Sequence, residues 1–400
     1  MFLKRSTDRK EEMMAKKNKM DEIMNFFGVN RPLFVEKELT GDDIHRFVDR
    51  DELLHRFRSA IQLGKTCAVV GEQGSGKSSF LIKLMDEMKE SMDCKYMQFS
   101  FPTNEFEKSR LHFLRATLRS LLFLIAGNDS LLSLFDKEEI AFEIKRLEYS
   151  IIIENHYKTH RSVEGELGGG LKSDFINLLI PVEFTAKLAA NRTKEEENIE
   201  TSDYPIHNEN TLYDAITKTT RKLKYPVVLF IDELDKVGRF PLDASEWDRE
   251  LIKILELSRE IMDNKKLVMV FSLQYELYDK LIKAKRGGND VSVIGLINYF
   301  KKLEGFNLDF AKEAVDQSLK VAGYPGTKDE LLEEGLLAIV LNIVKGNPRL
   351  FMTYLSDLCI EAELKKQHTL TLDLLKNYLF ELFEEEMDEK RWQELVKKAV

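Results

Sequence analysis

Ten residues, GEQGSGKSSF at 71–80, restrict this chain more than any other stretch of it. The run before them, TCAVV at 66–70, is β-branched and apolar, and the run that follows, FLIKLMDEM, carries apolar residues at helical spacing. From Gly71 to Ser78 the spelling is G-x-x-x-x-G-K-S, so a strand must turn through glycines straight into a helix. Such a turn gathers backbone N–H groups around an anion where Cβ atoms would crowd it, and the helix adds its positive end. Lys77 is then placed for β- and γ-phosphates and the Ser78 hydroxyl for Mg²⁺. Gly71, Glu72, Gln73, Gly74, Ser75, Gly76 and Ser79 make up the rest of the loop. The competing reading is an ordinary surface turn, and the strand before and helix after count against it.

Short apolar strands and helical runs alternate on either side of this loop. Helices are expected over about 77–90, 108–127, 211–223 and 248–262, and strands in KYMQFSF at 95–101, in VVLFID and in KLVMVFSLQ. That order predicts an α/β fold, a mostly parallel sheet with helices on both faces, as a three-layer sandwich. Four hundred residues exceed one small core, so more than one domain is expected. Residues 1–41 read as an N-terminal helix and linker, 42–310 as the α/β domain, and 311–400 as a helical lid with a C-terminal helical extension. Between about 129 and 205 the rhythm breaks, which suggests an insertion with exposed loops and a hairpin. Its glycine run at 168–170 lacks the GK[ST] that would make it a second phosphate loop.

Composition removes several classes. The three cysteines are scattered without metal-ligand spacing, and the seven histidines form no H-E-x-x-H pair. The longest apolar run, LRSLLFLIAG at 118–127, is too short to cross a bilayer, and the charged start has no secretory character. The expectation is a cytoplasmic protein with no membrane insertion. A net charge of −9 argues against a globally basic nucleic-acid surface. Local clusters (KRSTDRK near the start, RKLK at 221–224, KAKRGG at 283–288) keep DNA open as a partner beside protein.

A second acidic element complements the loop. In VVLFIDELDK the apolar strand ends at Asp232 and Glu233, which puts both carboxylates at a strand mouth rather than in a random acidic run. Asp232 can support a Mg²⁺ shell through water, and Glu233 can orient the attacking water. The bland alternative is a solvated strand end. Phosphoryl transfer needs both halves, and each segment supplies what the other lacks.

With these motifs the chain resembles the AAA+ P-loop ATPases, in the branch shared by archaeal-type, replication-initiator and signal-transduction ATPases. GEQGSGKSS matches their Walker A motif and LFIDELD their Walker B, while FVDRDELLHRF is similar to the segment they place before the first strand. The resemblance implies a P-loop NTPase fold and assigns further roles. Phe47, Val48 and Arg50 would lie on the nucleotide-side linker near adenine. Ser272, at the end of LVMVFSLQ, would be sensor 1, with Gln274 as a substitute, and Arg349 in KGNPRLF would be sensor 2 on the lid. Arg286 is the one candidate arginine finger, with a surface-loop role as its rival. ATP is expected rather than GTP, since NKK at 264–266 lacks the acidic residue of a guanine-reading motif. The implied activity is hydrolysis of ATP to ADP and phosphate with Mg²⁺, slow or stimulated by a partner. The implied role is a molecular switch or remodelling factor acting on a protein assembly, as a homo-oligomer or with another protein. The alternatives are a DNA-loading initiator-like ATPase and a nucleotide-stabilised scaffold in a defence or signalling complex.

Overall fold

The computed structural model describes residues 19–48, 50–99, 109–147, 208–233, 261, 265–276, 278–279, 297–383 and 387–399. They fall into two compact units, Met1–Phe106 with Tyr225–Val400, and Glu107–Lys224.

The first unit holds a five-stranded parallel sheet. Its strands are β1 (Cys67–Gly71), β2 (Cys94–Gln98), β3 (Val227–Asp232), β4 (Leu267–Gln274) and β5 (Tyr299–Lys302), in the spatial order β2-β3-β4-β1-β5. Strands buried on both faces read as continuous apolar runs, and CAVVG, VVLFID and LVMVFSLQ are such runs in the three central places. The edge strands are short, and β5 exposes Lys301 and Lys302, which discourages pairing with another chain.

A helix over 19–27, α1, opens the unit, and a 3-10 turn at Gly41–Arg46 leads into α2 (Asp51–Gln62). The loop at 71–76 passes into α3 (Lys77–Met88). Leu54, Phe57 and Ile61 of α2 and Phe80, Leu81 and Leu84 of α3 pack on Val69, Val228, Phe230 and Val270 of the sheet. Each such side chain contributes about 1.5–3 kcal/mol of burial, which holds the loop at the C-terminal end of central strand β1.

The second unit contains α4 (Ser109–Ala126), α5 (Asp129–Leu132), α6 (137–147) and α7 (Glu209–Lys222). Residues 129–132 and 137–147, expected as loops or a hairpin, are helical. Asn128 caps α5 through its side-chain oxygen and Leu131 is buried, while Ile140, Ile144 and Leu147 of α6 recur at helical spacing and are buried. The glycine run at 168–170 and the helix expected at 248–262, apart from Ile261, lie outside the described residues.

In the first unit, α8 (Leu308–Ala322), α9 (Lys328–Leu331), α10 (Leu336–Ile343), α11 (Pro348–Leu364), α12 (Leu372–Leu382) and α13 (Glu389–Ala399) form the lid-like helical region. Side chains of Asn307, Thr327, Asn347 and Thr371 cap four of these helices, so the starts were written locally. Their shared core also takes Ile23 and Phe27 of α1 with Val29, Leu33 and Phe34, so the N-terminal segment packs within the helical region. None of the described helices is long and apolar enough to cross a membrane.

The lid meets the sheet's exit by backbone contact. Phe306 N–H donates to Gly346 O at 2.7 Å, and a Cβ on Gly346, whose φ is +75°, would stand 2.8 Å from Phe306 O. Gly346→Ala should therefore cost about 2–3 kcal/mol, from a left-handed backbone and a clash with a rigid carbonyl. Urea unfolding checks this: a lower midpoint with an unchanged slope is expected, and a wild-type midpoint would refute it.

Candidate functional site

A cleft of about 700 Å³ opens where the phosphate-type loop, the tips of β3 and β4, the lid and an N-terminal strap converge. Gln73 to Ser79 line it, with Asp232, Glu233, Ser272 and Gln274 from the strand tips and Pro348, Arg349 and Met352 from α11. Phe47, Val48 and Arg50 lie on its wall as well. One cavity thus gathers almost every residue singled out from the sequence. Gly71 and Glu72 are not among the lining residues, and Arg286 lies outside the described residues.

The loop takes its shape from its glycines. Gly74 has φ +80°, and Gly76, at the N-cap of α3, has φ +88°, both in the region that side chains with Cβ avoid. At the wall of the curl, Ser75 Oγ is buried with no hydrogen-bond partner among the described residues. Lys77 Nζ donates to the carbonyls of Gly71 and Glu72, both at 3.0 Å, so the ammonium folds back over the loop.

The carboxylate of Asp232 is 1% exposed and heavily bonded. Its Oδ1 accepts from the Ser272 hydroxyl and from Glu233 N–H at 2.9 Å, and its Oδ2 accepts from Tyr96 Oη at 2.5 Å. The sheet register explains the grouping. Ile231 pairs with Phe271, so Asp232 and Ser272 come abreast one step later. Tyr96 pairs with Phe230, which shares a face with Asp232, and the phenol's length covers the diagonal. Burial, then the neighbouring Asp232 carboxylate, push the Tyr96 phenol far above the ordinary tyrosine range. Glu233 adopts φ +61°, a conformation that costs a non-glycine residue about 1–2 kcal/mol, and its N–H also points at Ser272 Oγ at 3.2 Å. That strain turns its backbone away from the strand at the mouth of the cleft.

The lid touches the loop directly. Asn347 caps α11 with its side-chain oxygen while its Nδ2 donates to Gln73 O at 2.9 Å, and Arg349 N–H donates to Gly74 O at 3.2 Å. The Gly74 carbonyl thereby satisfies one orphan backbone donor at the start of this helix, and the Gln73 carbonyl holds the side chain that caps it. A Cβ on Gly74 would lie 2.6 Å from Asn347 Oδ1, so glycine is what permits the approach. The Arg349 guanidinium stands 3.7 Å from the Glu38 carboxylate, a half-exposed pair of small net value.

Several contributors carry no signature in the sequence. Residues 35–39, read as linker, line the cleft, and Leu39 N–H donates to Ser79 Oγ at 3.1 Å. Arg46 is buried, ion-paired to Asp43 at 2.8 Å and bonded to the carbonyls of Pro32 and Leu33 at 2.8 and 2.7 Å, which ties the strap to the turn before α2. Tyr96 and Leu39 belong to no motif, because their partners Asp232 and Ser79 are far away along the chain.

The parallel sheet, in which β4 lies between β1 and β3, and the helical region after it have the three-layer layout with a helical lid that was expected from the sequence. No curated protein matches the chain. Among solved structures, a Walker-type ATPase of Pyrococcus abyssi is similar at 14% identity, covering 92% of this chain and 80% of that one, with a TM-score of 0.43. The ORC2 protein of Aeropyrum pernix is similar at 14% identity over 83% of this chain and 66% of its own, with a TM-score of 0.41. The ORC1 protein of the same organism, solved in complex with DNA, is similar at 10% identity over 86% and 68%, with a TM-score of 0.44. The family model described as the KAP family P-loop domain matches residues 58–317, from within α2 through the sheet to α8. The loop at 71–78 and the strand ending at Asp232 both lie inside that span, and the chain belongs to the KAP family of P-loop NTPases.

Proposed function

We propose that the chain binds ATP with Mg²⁺ in this cleft and hydrolyses it slowly, as a switch whose lid position depends on the nucleotide. One observation carries the reading: the loop that would hold the phosphates also holds the start of lid helix α11, its Gly74 carbonyl accepting from Arg349 N–H and its Gln73 carbonyl from the capping side chain of Asn347. Phosphates drawn into the curl would bind the N–H side of the same peptide units whose carbonyls hold the lid, and so fix them. A ligand with differential contacts in two lid positions is what a switch requires.

The residues suit the metal. Ser78 and Asp232 offer hard oxygen donors, and no group of three or more His, Cys, Asp or Glu side chains among the described residues forms a metal cage. This fits an ion that shares its shell with phosphates and water. When bound, Mg²⁺ would neutralise charge on the β- and γ-phosphates.

The chain's own residues account for the rest. Lys77 exchanges its two loop carbonyls for phosphate oxygens, and the unpartnered Ser75 hydroxyl, buried in the wall, gains an acceptor. Glu233, at the cleft mouth, orients water toward the γ-phosphorus. Ser272 holds its proton against Asp232 and so acts by fixing that carboxylate unless a phosphate draws the proton away. Arg349 leaves Glu38 for the γ-phosphate, which tightens the lid.

Hydrogen exchange on the full chain with ATP, with ADP and without nucleotide tests the switch. In the wild type, ATP should slow exchange at the start of α11 about fivefold or more, and in Arg349→Ala this protection should vanish while ATP still binds. Equal protection in both proteins would refute the coupling. Mass measured in solution on the same samples, with and without duplex DNA, reports whether the ATP state recruits a second copy or DNA.

A further inference from the structure

Resting on the ATP and Mg²⁺ reading above, we propose that Tyr96 is a positioning residue for the metal, acting through Asp232. A carboxylate offers about four acceptor directions, two on each oxygen. On Asp232, Oδ1 already accepts from the Ser272 hydroxyl and from Glu233 N–H, and Oδ2 accepts from Tyr96 Oη at 2.5 Å. Among the described residues one direction is left, on Oδ2, and Tyr96, by holding the other, fixes how the carboxylate is turned. The residue is 1% exposed, so bulk water cannot compete for it, and its remaining lone pair serves the cleft it lines.

Tyr96 itself is not part of the cleft lining, so its hydroxyl acts on a bound nucleotide only by holding Asp232. Its ring packs against the core under α2 and α3, which keeps the hydroxyl fixed. A hydroxyl donating to an ionised oxygen is a strong, directional bond. Groups that orient a metal-supporting carboxylate from behind are typically worth about 10–100-fold in metal affinity. The rival reading is that Tyr96 only fills space, and Tyr96→Phe separates the two because it keeps the ring and removes the bond.

The experiment uses the full chain and a fluorescent ATP analogue, first in EDTA and then across a Mg²⁺ series. In EDTA, Tyr96→Phe should bind within about twofold of wild type, because the phosphate loop is untouched. The Mg²⁺ concentration that gives half of the metal effect should rise about tenfold in the variant. On an Asp232→Asn background, Tyr96→Phe should add nothing further, since two residues acting through one group are not additive. A Mg²⁺ series identical to wild type, or an equal added shift on the Asp232→Asn background, would overturn the role of Tyr96 and leave the ATPase reading standing. Absence of nucleotide binding by the wild type under both conditions would overturn the ATPase reading, and this inference with it. Thermal melting of Tyr96→Phe close to that of wild type excludes misfolding as the cause of a shift.

Discussion

Glu233→Gln is expected to bind ATP within about threefold of wild type and to hydrolyse it about 10²–10³ times more slowly, the range for loss of a positioned base. The substitution keeps size and hydrogen bonding and removes only the charge that draws a proton from water. The backbone N–H of Glu233 bonds to Asp232 and Ser272, so the turn at φ +61° survives the exchange. Single-turnover hydrolysis set beside equilibrium ATP binding measures the two effects separately. Turnover equal to wild type would remove Glu233 from the chemistry and leave the loop as a binding site only. Because the slowed protein would dwell in its ATP state, it is also the form in which to look for bound DNA or protein.

Lys77→Ala should do the reverse and weaken ATP binding about 100-fold, near 2.7 kcal/mol, the scale of charge-assisted hydrogen bonds to a triphosphate. In the structure its ammonium already holds two carbonyls of the loop, at Gly71 and Glu72. Alanine would therefore remove both the phosphate contact and a brace of the empty loop. Calorimetric titration with ATP reads the affinity, and melting without nucleotide shows how much of the loss is loop order. Undiminished affinity would mean that phosphates do not occupy the curl.

Much of the fold was legible along the chain. Central strands of a parallel sheet carry buried residues on both faces, so β1, β3 and β4 stand out as unbroken apolar runs. Helix starts were legible where the capping side chain lies next to its helix, as Asn347 does before Pro348. The edges read less well: β2 ends at Gln98 rather than 101, because a half-exposed strand has a weaker pattern. At residues 137–147 the helical spacing of Ile140, Ile144 and Leu147 is present in the sequence but short, and polar residues surround it.

Local order along the chain marks the candidate phosphate loop, since a strand, a glycine turn, a lysine and a helix start are consecutive and need no distant partner. Which groups stand behind that site was decided only in three dimensions. Tyr96 reaches Asp232 across 136 positions, Asn347 reaches Gln73 across 274 and Leu39 reaches Ser79 across 40, and none of these pairs leaves a mark on its neighbours in sequence. Hydrogen bonds between remote residues exist because strand register and helix packing bring them within about 3 Å, and that register is a property of the assembled core.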